Sequence, residues 1–245
     1  RMAREYAELA GLEIPEWFSG RAEPFEFSYV DVDVDQEGIA TVLINRPEAM
    51  NALNVTVVEQ LGEAIDDLNS REDVHTIVLE GAGKAFVAGA DVKFFVDKIR
   101  SDSFDDIFDF TAHGHKVLNS IENSPKTTIA LTTGLALGGG LELALSADYR
   151  VGTEKTMLRF PETSIGIYPG LGGSQRTPRI CGIEAARFAV LAGNFMDAGA
   201  AKALGLITHL VDPSEVTSTI REISSTGKPE VKYPGSPADP SHPVA

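Results

Sequence analysis

Cysteine occurs once in this 245-residue chain, at Cys181. A single thiol excludes an internal disulfide framework and a cysteine-clustered zinc site, and it makes a reducing, cytoplasmic setting the expectation. The five histidines (His75, His113, His115, His209, His242) fit no metal-ligand spacing, so no metal is expected. Bases are also scarce, with 21 Lys and Arg against 36 Asp and Glu, a formal charge of −15. Such a chain repels nucleic-acid phosphates and anionic lipid, so neither nucleic acid nor membrane is an expected partner. No apolar run reaches the roughly 18 residues that cross a bilayer, and no signal peptide is visible. The phosphate-loop pattern GxxxxGK[ST], a dinucleotide fingerprint and a GxSxG nucleophile elbow are all missing, as is any long-period repeat.

What remains is an ordinary globular composition, 43% hydrophobic and 23% charged, for which one large α/β domain is the simplest count. Strand patterns fall at 29–34, 39–44, 76–80, 127–132, 149–152 and 207–211, with a short one before Pro161. Helical spacing runs from an Asn54 cap through Val58, Leu61, Ile65 and Leu68, and again over 104–121, 173–180, 183–192 and 197–204. Strands alternating with helices across short turns predict a layered α/β fold. Residues 1–28 read as a short helix ending before Pro15 and then a linker, so the domain proper is placed at 29–225. The stretch 226–245, with Pro229, Pro234, Pro237, Pro240 and Pro243, reads as an extended or disordered tail.

Two glycine turns follow strand patterns, Gly89-Ala90-Asp91 and Gly138-Gly139-Gly140, the second opening a helix. Small residues there let backbone N–H groups approach a ligand oxygen, and a helix N-terminus adds partial positive charge. Tight strand–helix packing is the alternative explanation of either turn. Glu142 sits among Leu141, Leu143, Ala144 and Leu145, and Glu162 follows Phe160-Pro161 before another glycine-rich turn. Read singly, each could be a first-turn or surface acid; buried against apolar groups, either could serve as an acid or base near neutral pH. An anionic substrate would need placed cations, and Lys93, Arg46 and Arg176 are the ones near these motifs.

The segments INRPEAMNALN, AFVAGADVK, GLALGGGLELALSADYRV and FPETSIGIYPGLGGSQR resemble, in order and spacing, signatures of the crotonase (enoyl-CoA hydratase/isomerase) superfamily. The resemblance implies a spiral of repeated ββα units, a helical C-terminal part that looks shortened here, and assembly as a homo-oligomer, a trimer or hexamer. It implies that the N–H groups of Ala90 and Gly139 hold a thioester oxygen. Asp91, Val92 and Lys93 fall on the CoA-contacting segment, and Gly170 on a position that helps orient water. Glu142 and Glu162 fall on the two positions that mark hydratases, one activating water for C3 and the other protonating C2. The substrate implied is an acyl-CoA thioester, CoA being part of the substrate and no separate cofactor being needed. Residues 1–28 resemble the end of a 3-hydroxyacyl-CoA dehydrogenase region, as in fused β-oxidation proteins. An isomerase using Glu162 alone, a thioester hydrolase and an inactive CoA-binding module are the rivals on the same fold. Retention of both glutamates favours the hydratase.

Overall fold

Strand β1 (Val30–Val34) buries Val30 at one end and turns Asp31 and Asp33 outward, the pattern of an edge strand. It pairs antiparallel with β2 (Ile39–Ile44), whose Ile39, Ala40, Val42 and Ile44 are buried. From β2 the sheet continues in parallel through β3 (Thr76–Gly81), β5 (Thr127–Thr132), β7 (Tyr149–Gly152) and β10 (His209–Leu210). Every residue of β5 is buried, as expected of a parallel strand covered on both faces. A second sheet runs β4 (Ala85–Ala88), β6 (Leu135–Leu137) and β8 (Met157–Arg159) in parallel, closed by β9 (Met196–Asp197) antiparallel. The computed structural model that shows this describes residues 28–234.

The chain thus climbs in turns: β3 then β4, β5 then β6, β7 then β8, one strand to each sheet and helices following. This is the ββα spiral. Helix α1 (Val55–Ser70) starts where the Asn54 side chain accepts from the Val57 N–H at 2.8 Å, and it buries Val57, Val58, Leu61, Ile65 and Leu68. Helix α2 (Val92–Arg100) buries none of its residues, while α3 (Phe104–Glu122) buries Phe110, Val117, Leu118 and Ile121 and packs on α1. Helix α4 (Gly139–Ser146) is buried along its whole length, Glu142 included. Beyond it lie α5 (Gly173–Cys181), α6 (Ile183–Ala192), α7 (Ala198–Ala203) and α8 (Val216–Thr226).

Two helices depart from the sequence expectations. Helix α2, directly after the Gly89-Ala90-Asp91 turn, is absent from the expected helices because it presents no buried stripe. The C-terminal helical part is not reduced to a proline-rich tail: α8 follows β10, and its Val216, Ile220 and Ile223 pack with Ile39, Val78, Ile129 and Val151 on the large sheet. Residues 227–234 do lack regular structure, but they are pinned to the body by side-chain bonds. The expected short helix and linker of 1–28, and with them the dehydrogenase-like tail, fall outside the described residues except for Ser28; so do the prolines beyond 234.

Candidate active site

The turn carrying Ala90 is built by the segment 46–53. Asn51, fully buried with φ +58, donates from Nδ2 to the carbonyls of Ala82, Ala85 and Phe86 and accepts from the Arg46 N–H. Leu53 then forms a parallel bridge with Ala90, its N–H donating to Gly89 O at 2.9 Å and its carbonyl accepting from Asp91 N at 2.8 Å. Such a bridge uses the neighbours' polar groups, so the Ala90 N–H faces the other way. Ala90 N lies close to Gly139, where a built Cβ would stand 3.6 Å from it. Two small-residue turns therefore meet across the two glycine clusters. Gly140 fixes how closely: a Cβ on it would stand 2.0 Å from the Val87 carbonyl oxygen.

Glu142 lies in the first turn of α4 and is 1% exposed. Its Oε1 accepts from the N–H groups of Leu171 and Gly173, both at 2.7 Å. Burial raises its pKa from an ordinary 4.5 to about 7, against the lowering pull of the Gly173 N–H; nearby Glu162 adds to the rise, and the Leu171 N–H and Arg176 oppose it. Glu162 opens a 3-10 turn (Glu162–Ile165) after β8. Its Oε1 lies 2.7 Å from where a Cβ on Gly138 would be, and Gly138 itself has φ +47, so only glycine suits that position. Glu162 Oε2 is buried without a protein partner, and burial also raises this carboxyl. Two carboxyls of raised pKa thus stand beside the glycine turns.

The structure separates the remaining sequence candidates. Asp91 caps α2, accepting from Lys93 N at 3.1 Å, and pairs with Arg46 at 2.9 Å. Arg176 is 4% exposed and pairs with Glu122. Arg46 and Arg176 are therefore engaged internally, which corrects their reading as cations for an anionic substrate; Lys93 is exposed. Val92 is exposed at the start of α2, and Gly170 is exposed one residue before Leu171. The Leu171 and Gly173 donors escaped sequence reasoning, as did Asn51. For Asn51 there was a signal, since asparagine tolerates positive φ where other side chains strain. A cleft of about 360 Å³ opens between α1, α2 and α3, lined by Val58, Glu59, Phe94, Phe110 and His113, and includes neither Glu142 nor Glu162. Among the described residues, no group of three His, Cys, Asp or Glu is placed to hold a metal ion, and no helix is long and apolar enough to cross a membrane.

Fold and site together place two buried carboxyls of raised pKa beside two glycine turns, on a two-sheet spiral. A family model described as enoyl-CoA hydratase/isomerase matches residues 39–235. Crotonyl-CoA hydratase of Syntrophomonas wolfei is 36% identical over 190 residues, covering 77% of this chain and 72% of the relative. Short-chain-enoyl-CoA hydratase of Clostridium acetobutylicum is 36% identical over 197 residues, covering 80% and 74%. Among solved structures, an enoyl-CoA hydratase from Bacillus anthracis superposes with a TM-score of 0.75 at 30% identity, covering 81% of this chain and 76% of that one. The chain belongs to the enoyl-CoA hydratase/isomerase family.

Proposed function

We propose that this protein adds water across the double bond of a 2-enoyl-CoA, giving a 3-hydroxyacyl-CoA. The observation that carries the reading is the pair of buried carboxyls, Glu142 on the helix that Gly139 opens and Glu162 against Gly138, with Ala90 N close to Gly139. Glu142, ionised, takes a proton from water as its oxygen attacks C3. Charge moves to the thioester oxygen, where the N–H groups of Ala90 and Gly139 receive it, each worth about 3–4 kcal/mol in the barrier. Glu162 gives its proton to C2. Burial raises both carboxyls toward the range in which they can exchange protons near neutral pH, as an acid–base pair requires.

In the same reading Asp91, Val92 and Lys93 lie along the bound CoA, with exposed Lys93 free to meet its phosphates, and the Gly170 N–H helps orient the water. The acyl chain extends toward the stretch 94–115, where Phe94 and Phe110 line the cleft. No further cofactor enters the reaction as written. The exposed apolar residues Ile165, Ile167, Tyr168, Phe188 and Leu191, on the 3-10 turn, the loop after it and α6, support assembly as a trimer or hexamer. A cytoplasmic setting fits the single cysteine. The product suits a 3-hydroxyacyl-CoA dehydrogenase, the region that residues 1–28 resemble; the family match begins at residue 39 and leaves that fusion untouched.

The test is loss of conjugated enoyl-thioester absorbance with crotonyl-CoA, for the wild type and for Glu162→Gln. Turnover by the wild type, and its loss in the variant with thioester binding retained, is the expected result. No turnover by the wild type, or a loss of binding in step with activity, would refute it.

A further inference from the structure

The segment after α8 reaches back across the molecule toward the site. Tyr149 Oη donates to the Gly227 carbonyl at 3.0 Å. Lys228 and Lys232 then place their ammonium groups on the buried Asp148 carboxylate, at 2.8 and 2.9 Å. Lys232 also donates to the Glu122 carbonyl at 2.6 Å. Tyr233 packs against the main core, its hydroxyl donating to Glu122 Oε1 and its ring 6.0 Å from the Arg179 guanidinium carbon.

Glu122 is the last residue of α3, and its other oxygen receives Arg176 Nε at 2.7 Å. Arg176 also donates from Nη2 to Asn119 Oδ1 at 2.8 Å and from Nη1 to the Leu171 carbonyl at 2.9 Å. Leu171 is one of the two residues whose N–H groups hold Glu142. An unbroken line of bonds therefore runs from Tyr233 through Glu122, Arg176 and Leu171 to Glu142.

We propose that residues 227–234 form a strap that positions Glu142: Tyr233 fixes Glu122, Glu122 fixes Arg176, and Arg176 holds the loop whose N–H groups grip the Glu142 carboxylate. The inference rests on reading Glu142 as the base. Tyr233, Glu122 and Arg176 are positioning residues and touch no substrate. The guanidinium is suited to the task because its planar fork meets a carboxylate and a carbonyl at once. Its charge is also one of the two that face Glu142, the other being Glu162; Glu122 is faced in turn by Arg176, Tyr233 and Lys232.

The experiment compares wild type, Tyr233→Phe and Glu122→Gln in crotonyl-CoA kinetics, in thermal unfolding, and in a ¹³C-carboxyl NMR titration of Glu142 assigned with Glu142→Gln. A misplaced base lowers kcat by about tenfold or more while KM stays within about twofold. In Glu122→Gln the unneutralised Arg176 moves the Glu142 titration to lower pH. Unchanged kcat and an unmoved titration in both variants would overturn the strap. So would a kcat loss matched by a rise in KM and a collapse of the thermal midpoint, which marks general loosening. If the wild type hydrates nothing, the hydratase reading fails by itself, and the NMR titration alone decides the strap: a shift supports it and no shift refutes it.

Discussion

Replacing Glu142 by Gln should make the protein more stable and much less active, with a stability gain that depends on pH. The amide oxygen of Gln can still accept from the Leu171 and Gly173 N–H groups, so the local structure has no reason to rearrange. The substitution removes a charge that burial disfavours. The carboxyl's rise from 4.5 to about 7 corresponds to about 3 kcal/mol, at 1.36 kcal/mol per pH unit. The sign follows from proton counting. Between pH 4.5 and 7 the folded state binds more protons at this site than the unfolded state, so stability falls as pH rises. Below pH 4.5 the carboxyl is neutral in both states and costs nothing; above about 7 the full penalty applies.

Urea unfolding of wild type and Glu142→Gln at pH 5 and pH 8.5 measures this directly. The gain should be small at the lower pH and approach about 3 kcal/mol at the higher. Hydration of crotonyl-CoA should fall about 10²- to 10⁴-fold, the usual contribution of a positioned base. An equal stability change at both pH values would refute burial of an ionisable Glu142. Turnover within tenfold of wild type would refute its role as base.

Gly140→Ala pushes a methyl group against the Val87 backbone, 2.0 Å from its carbonyl oxygen, so β4 and α4 must separate. Overpacking of this kind costs about 1–3 kcal/mol, and the Ala90 and Gly139 donors diverge with the backbone. The thermal midpoint should therefore fall and activity should fall further than stability accounts for. At Asp148, burial would raise the carboxyl, but the Lys228 and Lys232 hydrogen bonds outweigh it and hold the group below its ordinary 3.8. Its stabilisation is thus present above pH 3.8 and lost as pH falls through the folded value. Asp148→Asn should cost about 2 kcal/mol at neutral pH, less than a fully buried pair because Lys228 is 39% exposed. That difference from wild type, read by thermal unfolding, should shrink below about pH 4.

Much of this was legible because local pattern and tertiary need agree. The run 127–132 is apolar and β-branched, and both faces of β5 are covered; Asn54 reads as a cap and acts as one. Glu142 stood out because an acid between Leu141 and Leu143 has no polar face to occupy, and the structure buries it. Other features depend on contacts between residues distant in the chain. Nothing local reveals that Arg176 meets Glu122, or that Arg46 meets Asp91, so both looked like free cations. Helix α8 was missed although Val216, Ile220 and Ile223 share a face, because the prolines after it dominated the reading. The grip of Leu171 and Gly173 on Glu142 is made by backbone groups, and side-chain identity carries no trace of a backbone donor's aim.

The same burial explains both halves of the site. Putting α4 wholly inside the protein costs the ionised Glu142 its solvation, which moves the carboxyl to where it can exchange a proton near neutral pH. It also buries Gly139, whose N–H, in the proposed role, would act on developing charge more strongly than it does in solvent. Glycine at 138 and 140 is the condition for that arrangement, since side chains there would collide with Glu162 and with Val87. The raised carboxyls and the close approach of the two turns are thus consequences of one packing decision. A change that lets water reach α4 should weaken both, lowering the Glu142 pKa and raising the barrier together.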